Sequence, residues 1–247
     1  MTTYKTSEVA KIINVHPNTI RLYEKLELIP KAEHLPNGYR IFTEFHIKQC
    51  KLVRIAFQIE LLQRGLRKKI IKMLKMSAKG SFDDAIILAQ EYLNQIKQEQ
   101  IYAEEAIIIV KKILSEKKQK NIYNLKRKEV SQLLNISIDT LRNWEMNGLI
   151  TIKRKSNGYR IYNDEDIQRL KIIRTLRYAN YSLEAILYML YQLSQNPSID
   201  IKVSLNTSHK TDNITSVYDQ LIISLSQAEK NICQILNMLY EMKNSFS

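Results

Sequence analysis

Only two cysteines, Cys50 and Cys233, occur in 247 residues. They stand far apart with no paired spacing, so no disulfide framework, thiol metal site or redox pair is expected. Both read as buried small apolar residues. Glycine occurs five times and proline four times. That is too little turn chemistry for an all-β fold, and long helices are expected instead. The histidines, at 16, 34, 46 and 209, are scattered. No phosphate loop, paired-glycine fingerprint or metal-binding histidine pair is present, so the sequence carries no enzyme or cofactor signature. No apolar run approaches the roughly 18 residues of a membrane span; "AIIIV" at 106–110 is short and flanked by charge. The start, "MTTYKTSEVAKII", lacks the apolar core and small-residue cleavage site of a secretory signal. A reducing cytoplasm, beside the nucleoid, is the expected location.

What the chain does have is unevenly placed positive charge. The net charge is +13. Residues 1–76 hold 15 Lys/Arg against 6 Asp/Glu, and residues 121–193 hold 12 against 7. Residues 77–120 balance, and residues 194–247 carry a net −1. Excess charge confined to two segments is the electrostatic footprint of a module that reads a polyanion.

Those two segments repeat one another. "SEVAKIINVHPNTIRLYEKLELI" (7–29) lies over "KEVSQLLNISIDTLRNWEMNGLI" (128–150) at an offset of 121. "PNGYRIFTEFHI" (36–47) lies over "SNGYRIYNDEDI" (156–167) at an offset of 120. The one-residue loss belongs in a loop, near 31–36 and 152–156. Each copy reads as helix, tight turn, helix, hairpin, helix. Val9, Ile12 and Ile13 give one apolar helical face. Asn14 and Asn135 suit a left-handed turn position. Pro17 suits a first helical turn and Ser137 an N-cap. Ile20, Leu141, Tyr23 and Trp144 point inward by spacing. "NG" before "YRIF" or "YRIY" signals a hairpin whose return strand alternates. Two short helices joined by a tight turn make a helix-turn-helix, here with a wing.

This ordered combination resembles the DNA-binding domain of the mercury-resistance regulator (MerR) family, over roughly 1–75 and again over 124–193. The resemblance implies a winged helix-turn-helix, a long dimerisation helix after it, and distortion of promoter DNA with RNA polymerase as a further partner. The family's usual members carry one such domain and bind as homodimers; this chain carries two.

A helix of about 36 residues, over 82–118, separates the copies, about 54 Å long. Phe82, Ala85, Ile86, Ala89, Leu93, Ile96, Gln100, Ala103, Ile107, Val110 and Leu114 follow its spacing. After an irregular polar stretch, 194–213, a second long helix is expected from about Ile214 to Met242. The expected fold is mainly α: a first winged domain (1–76), a long helix (77–120), a second winged domain (121–193), then a polar loop and second long helix (194–247). Family helices of this kind pair antiparallel, so the far end of one lies beside the partner's reading head. Only about six residues, at most about 20 Å, separate the first long helix from the second copy. One polypeptide is therefore expected to imitate the homodimer, its two long helices forming an antiparallel coiled coil. A true homodimer with four heads is the alternative.

A recognition helix enters the major groove through its N-terminal residues. In the first copy these are His16, Asn18, Thr19 and Arg21; in the second, Ser137, Asp139, Thr140 and Arg142. The arginines suit guanine or phosphate, and Asp139 suits cytosine or simple helix stabilisation. His16 reads equally as a DNA contact or a surface turn residue. Glu24 and Glu145 read as structural partners for basic residues. Arg40 and Arg160 belong to the wings, shaped by Asn37, Tyr39, Asn157 and Tyr159. The resemblance implies that they reach flanking backbone or a minor groove. Lys153, Arg154 and Lys155 add charge to the second wing. In the first copy Arg64, Lys68 and Lys72 share a helical face, with Arg67 and Lys69 beside them; the matching "NYSLEAI" lacks this cluster. Family regulators often carry an aromatic pair after the recognition arginine, where this chain has Leu22–Tyr23 and Asn143–Trp144. The leading expectation is a transcriptional regulator of double-stranded DNA with an imperfect operator. An architectural or excisionase-like DNA-binding protein, and a sensor whose heads no longer read sequence, are the rivals.

Overall fold

The computed structural model describes residues 2–58, 66–115, 123–152, 160–207 and 220–246. The chain divides into two compact units. The first comprises Met1–Gln98 with Ser224–Ser247, and the second Glu99–Ile223.

In the first unit, α1 (Thr6–Ile12) begins where the Glu8 carboxylate accepts the Lys5 N–H at 2.7 Å. It ends at Asn14, whose φ of 54° is left-handed, as the turn requires. α2 (Pro17–Lys25) follows. Strands β1 (Glu33–His34) and β2 (Arg40–Ile41) pair antiparallel, Glu33 opposite Ile41 and His34 opposite Arg40. Gly38 turns the hairpin at φ 79°, and Tyr4 bridges to Phe42. α3 (Glu44–Phe57) and α4 (Leu66–Ala78) complete the head. Val9, Ile13, Ile20, Tyr23, Leu28, Phe42, Ile47 and Val53 form its core. Ile12 does not join them; it is 46 % exposed, and Ala10 is buried in its stead. At the centre, the buried Gln49 amide donates to the Leu28 carbonyl at 2.9 Å and to the Leu74 carbonyl at 3.0 Å. It accepts from Ser77 Oγ at 2.7 Å. One side chain thus ties the helix-turn-helix to α3 and α4.

Helix α5 (Phe82–Ser115) gives its residues up to Gln98 to this unit. Its buried face includes Phe82, Ala85, Ile86, Ala89, Tyr92 and Ile96. Helix α11 (Leu221–Phe246) buries Leu225, Ala228, Ile232, Ile235, Leu239 and Met242, the stripe read from the sequence. Within the unit Asp83 meets Lys243, Gln90 Nε2 donates to Tyr240 Oη at 3.1 Å, and Lys97 approaches Glu229 at 4.0 Å. The helix continues past Met242 because Phe246 has a site, with its ring 5.1 Å from that of Phe45. Residues 214–219 of the expected helix, and 116–118 of the first, lie outside the described residues. Cys50 is buried as expected, but Cys233 is exposed on α11.

The second unit repeats the plan. β3 (Leu125–Lys126), α6 (Arg127–Leu134), α7 (Ile138–Met146), β4 (Ile161–Tyr162), α8 (Asp164–Tyr178) and α9 (Leu183–Gln195) follow in order. Asn135 takes φ 49°. Leu125 pairs with Tyr162 where Tyr4 meets Phe42 in the first head. Arg169 stands where Gln49 does, and its Nε donates to the Leu149 carbonyl at 2.6 Å; Leu149 is the counterpart of Leu28. The α5 face of Ala103, Ala106, Ile107 and Val110 is buried here. Tyr181 Oη donates to the Ala103 carbonyl, and Gln168 Nε2 to that of Ile113. The stretch read as irregular contains a short helix, α10 (Ile201–Leu205). Asp200 caps it through the N–H groups of Lys202 and Val203, and Ile201, Ser204 and Leu205 turn inward at helical spacing. Among the described residues no helix is long and apolar enough to cross a membrane.

Candidate nucleic-acid interface

The apolar face of each recognition helix fixes what the other face presents. In α2, Ile20 and Tyr23 are buried, so Asn18 and Arg21 are exposed and Thr19 is half-buried. In α7, Leu141 and Trp144 are buried, leaving Asp139 and Arg142 exposed and Thr140 half-buried. His16 is the N-cap of α2, its Nδ1 accepting from the Asn18 N–H at 3.2 Å. Ser137 caps α7, its Oγ accepting from the Thr140 N–H at 2.9 Å. These caps satisfy helix-start N–H groups that would otherwise lack partners.

Each outward arginine is steered by a residue one turn earlier. Arg21 Nη1 donates to Asn18 Oδ1 at 3.0 Å, and Arg142 Nη1 to Asp139 Oδ1 at 2.9 Å. The second arrangement is an ion pair, so Asp139 faces its own helix's arginine as well as solvent.

The wing arginines do not project freely; each is braced against a recognition helix. Arg40 Nε lies 2.8 Å from Glu24 Oε2, whose Oε1 accepts the Ala32 N–H at 3.0 Å. Arg160 Nε lies 2.6 Å from Glu145 Oε1, and Arg127 Nη2 lies 2.8 Å from Oε2 of the same carboxylate. Glu24 and Glu145 are thus structural partners of basic residues, as the sequence indicated. The part played by Arg127 had no sequence signal, because its counterpart in the first copy is Thr6. Asn37 shapes the first wing by accepting the Tyr39 N–H at 3.2 Å, and Tyr39 is 67 % exposed. Lys153, Arg154, Lys155, Asn157 and Tyr159 lie outside the described residues, as does Arg64.

On α4, Arg67, Lys68 and Lys72 are exposed and form no ion pair with any described residue. Lys69 pairs with Glu91 and Lys75 with Glu27. The matching helix α9 contains no lysine or arginine. The two heads therefore share a scaffold but not a charge pattern.

Residues 125–193 match the family described as MerR HTH family regulatory protein, and residues 5–42 match the MerR family regulatory protein description. Both helix-turn-helix segments thus match MerR-family models. Curated relatives include the HTH-type transcriptional regulator ZntR of Escherichia coli K12, 33 % identical over 64 residues, or 26 % of this chain and 45 % of the relative. The HTH-type transcriptional regulator AdhR of Bacillus subtilis is 38 % identical over 60 residues, 24 % of this chain and 43 % of the relative. A probable heavy metal-dependent transcriptional regulator of Haemophilus influenzae is 37 % identical over 70 residues, 28 % of this chain and 54 % of the relative. The matches thus span about half the length of these relatives. No solved structure gave a significant match. Among the described residues, no three His, Cys, Asp or Glu side chains cluster so as to hold a metal ion.

Within the MerR-like heads, the positions repeated on the outward face are Thr19 with Thr140 and Arg21 with Arg142. The positions that differ are His16 with Ser137 and Asn18 with Asp139. A hydroxyl and a guanidinium shared by both heads suit phosphate and guanine; an amide in one and a carboxylate in the other suit different bases.

Proposed function

We propose that this chain is a transcription regulator that grips and distorts one duplex with both of its MerR-like heads, a single polypeptide standing in for a homodimer. The observation that carries the reading is the pair of exposed, steered arginines, Arg21 and Arg142, on the outward faces of two family-matching recognition helices. An antiparallel coiled coil of the two long helices is supported within the first unit. There the contacts run 83, 90, 97 along α5 against 243, 240, 229 along α11. Asn18, Thr19 and Arg21, with Asp139, Thr140 and Arg142, read the two half-sites, and His16 and Ser137 flank them. Arg40 and Arg160, braced through Nε, hold flanking backbone through their other guanidinium nitrogens, with Lys153, Arg154 and Lys155, as do Arg64 and Lys68 in the first head. Asn37, Tyr39, Asn157 and Tyr159 set the wings. The protein acts in the cytoplasm and meets RNA polymerase at the promoter.

Because Asn18 and Asp139 differ, the operator is expected to be an imperfect palindrome. Selecting duplexes from a random library with the full chain tests this. The reading expects one chain per selected duplex by native mass measurement, and weaker binding when either half-site is replaced by a copy of the other. Two chains per duplex, or a perfect palindrome as the best binder, overturns it. Sites clustered at recombination ends rather than in promoter spacers point to the architectural role instead.

A further inference from the structure

Between α7 and the end of α8, within the second unit, lies a cleft of about 600 Å³. Ser137, Asn143 and Trp144 line one side, and Arg174, Arg177 and Tyr178 the other. Arg174 stacks its guanidinium carbon 5.0 Å from the Tyr178 ring centroid. It makes no hydrogen bond to any described residue, and its Nε is buried without a partner. Arg177 Nη1 donates to the Tyr181 carbonyl at 2.5 Å. The one acidic side chain at the cleft, Asp139, is paired with Arg142 and 85 % exposed. Two guanidiniums therefore line one cleft, and neither is paired with a described carboxylate. Leaving a half-buried guanidinium without an acceptor is costly, and its planar fork of donors fits a phosphate. The cleft opens beside the start of a recognition helix, where a bound strand's backbone passes.

The first head lacks this feature but keeps the fold around it. Arg54 occupies the place of Arg174, but its Nη1 donates to the carbonyls of Ile13 and Asn14. Phe57 stands for Arg177 and meets Tyr23 edge-on, with ring centroids 6.0 Å apart. Leu22 stands for Asn143. The cations of that head sit instead on α4, as Arg67, Lys68 and Lys72.

We propose that the cleft is a seat for a DNA backbone phosphate, held by Arg174 and Arg177 with Asn143, and that it exists in the second head alone. The first head holds its strand through the α4 cations. The two heads thus grip the backbone at different places, and the protein's hold on a duplex is lopsided. The inference rests on the reading of the chain as a DNA binder. A free phosphate offers the same chemistry, so the test separates the two sources.

The test is the salt dependence of full-chain binding to a mixed-sequence duplex. Each phosphate contact contributes about 0.9 to the slope of log affinity against log salt. Arg174→Gln is expected to flatten the slope by about 0.9, and Lys72→Gln on α4 by a similar amount. Arg54→Gln is expected to keep the wild-type slope. Asn143→Leu, an exposed change that copies the first head, is expected to weaken binding several-fold with the fold intact. An unchanged slope for Arg174→Gln, or an equal loss for Arg54→Gln, overturns the proposal. So does inorganic phosphate binding that Arg174→Gln abolishes while the duplex slope stays put; the seat then serves a free anion. If the wild-type chain binds no duplex at any salt, the function reading fails with it, and the two failures are told apart.

Discussion

Glu145 joins three parts of the second head, so its replacement is the sharpest check on how that head is held together. Its two oxygens accept from Arg160 Nε at 2.6 Å and Arg127 Nη2 at 2.8 Å. The three side chains are only 21–23 % exposed. A solvent-exposed pair contributes about 0–1 kcal/mol, whereas breaking a fully buried one costs about 3–5 kcal/mol. Glu145 lies between these limits. Glutamine keeps the shape and one acceptor but loses the charge, and it turns an amide donor toward one arginine. Arg127 already has a buried Nε with no partner, so it cannot absorb the loss elsewhere. Glu145→Gln is therefore expected to cost about 2 kcal/mol and Glu145→Ala about 3 kcal/mol.

Trp144, the single tryptophan of the chain, neighbours Glu145 and is buried in the same head. Its fluorescence during urea unfolding reports on this unit without assuming that the whole chain unfolds in one step. A loss below about 0.5 kcal/mol for Glu145→Gln, with an unchanged denaturant slope, refutes the idea that the carboxylate braces wing and recognition helix.

Three further outcomes follow from single residues. Burial pushes the His46 imidazole below its ordinary value of 6.5, so the folded state favours the neutral ring. That stability is complete above about pH 6.5 and is lost as pH falls through 6.5 toward the folded value; thermal unfolding of the wild type at about pH 7.5 and 5.5 shows the loss, and His46→Gln flattens it. Burial pushes the Cys50 thiol up to about 12, whereas Cys233 is exposed, so a thiol reagent is expected to label one cysteine in the native chain and the second only on unfolding. Glu27 holds φ 59° where its counterpart Gly148 holds 73°, so Glu27→Gly is expected to raise the melting temperature by about 2–4 °C, the exposed Glu27–Lys75 pair contributing little.

Much of this architecture was legible because it repeats. Asn14 and Asn135 announced a left-handed turn, and both have one. Tyr23 and Trp144 fell on an inward face, and both are buried. The stripes of α5 and α11 obeyed helical spacing from Phe82 to Val110 and from Leu221 to Met242, except that Tyr92 and Glu99 are buried where Leu93 and Gln100 were expected, and those two are half-buried. What sequence could not reveal was work done by unlike residues. Gln49 and Arg169 share no chemistry beyond an N–H donor, yet each reaches the same carbonyl, that of Leu28 or Leu149. α10 was hidden because five residues are too few for periodicity to stand out from a polar stretch. Ile12 and Cys233 were misplaced because a residue on the border of an apolar stripe is settled by the tertiary neighbour, which spacing does not supply.

The duplication also separates what the fold needs from what an outside partner needs. Glu24 with Arg40 and Glu145 with Arg160 are the same pair in both heads, and the brace they form is reason enough for the repetition. Arg21 and Arg142 are also the same in both, but no brace explains them. Among the described residues each bonds only to its own helix, through Asn18 or Asp139, and an exposed contact of that kind contributes little to stability. Helix propensity does not demand arginine there either, since leucine, lysine or glutamine serve about as well. Elsewhere the exposed surfaces of the two heads differ: α4 carries Arg67, Lys68 and Lys72, while α9 carries no cation. Glu8 with Glu129 and Asn14 with Asn135 are repeated exposed residues that a helix start and a turn account for. Two exposed arginines repeated with no such structural reason fit something outside the chain that both must touch, and the proposed duplex, with its repeating phosphates and guanines, would offer each head the same target.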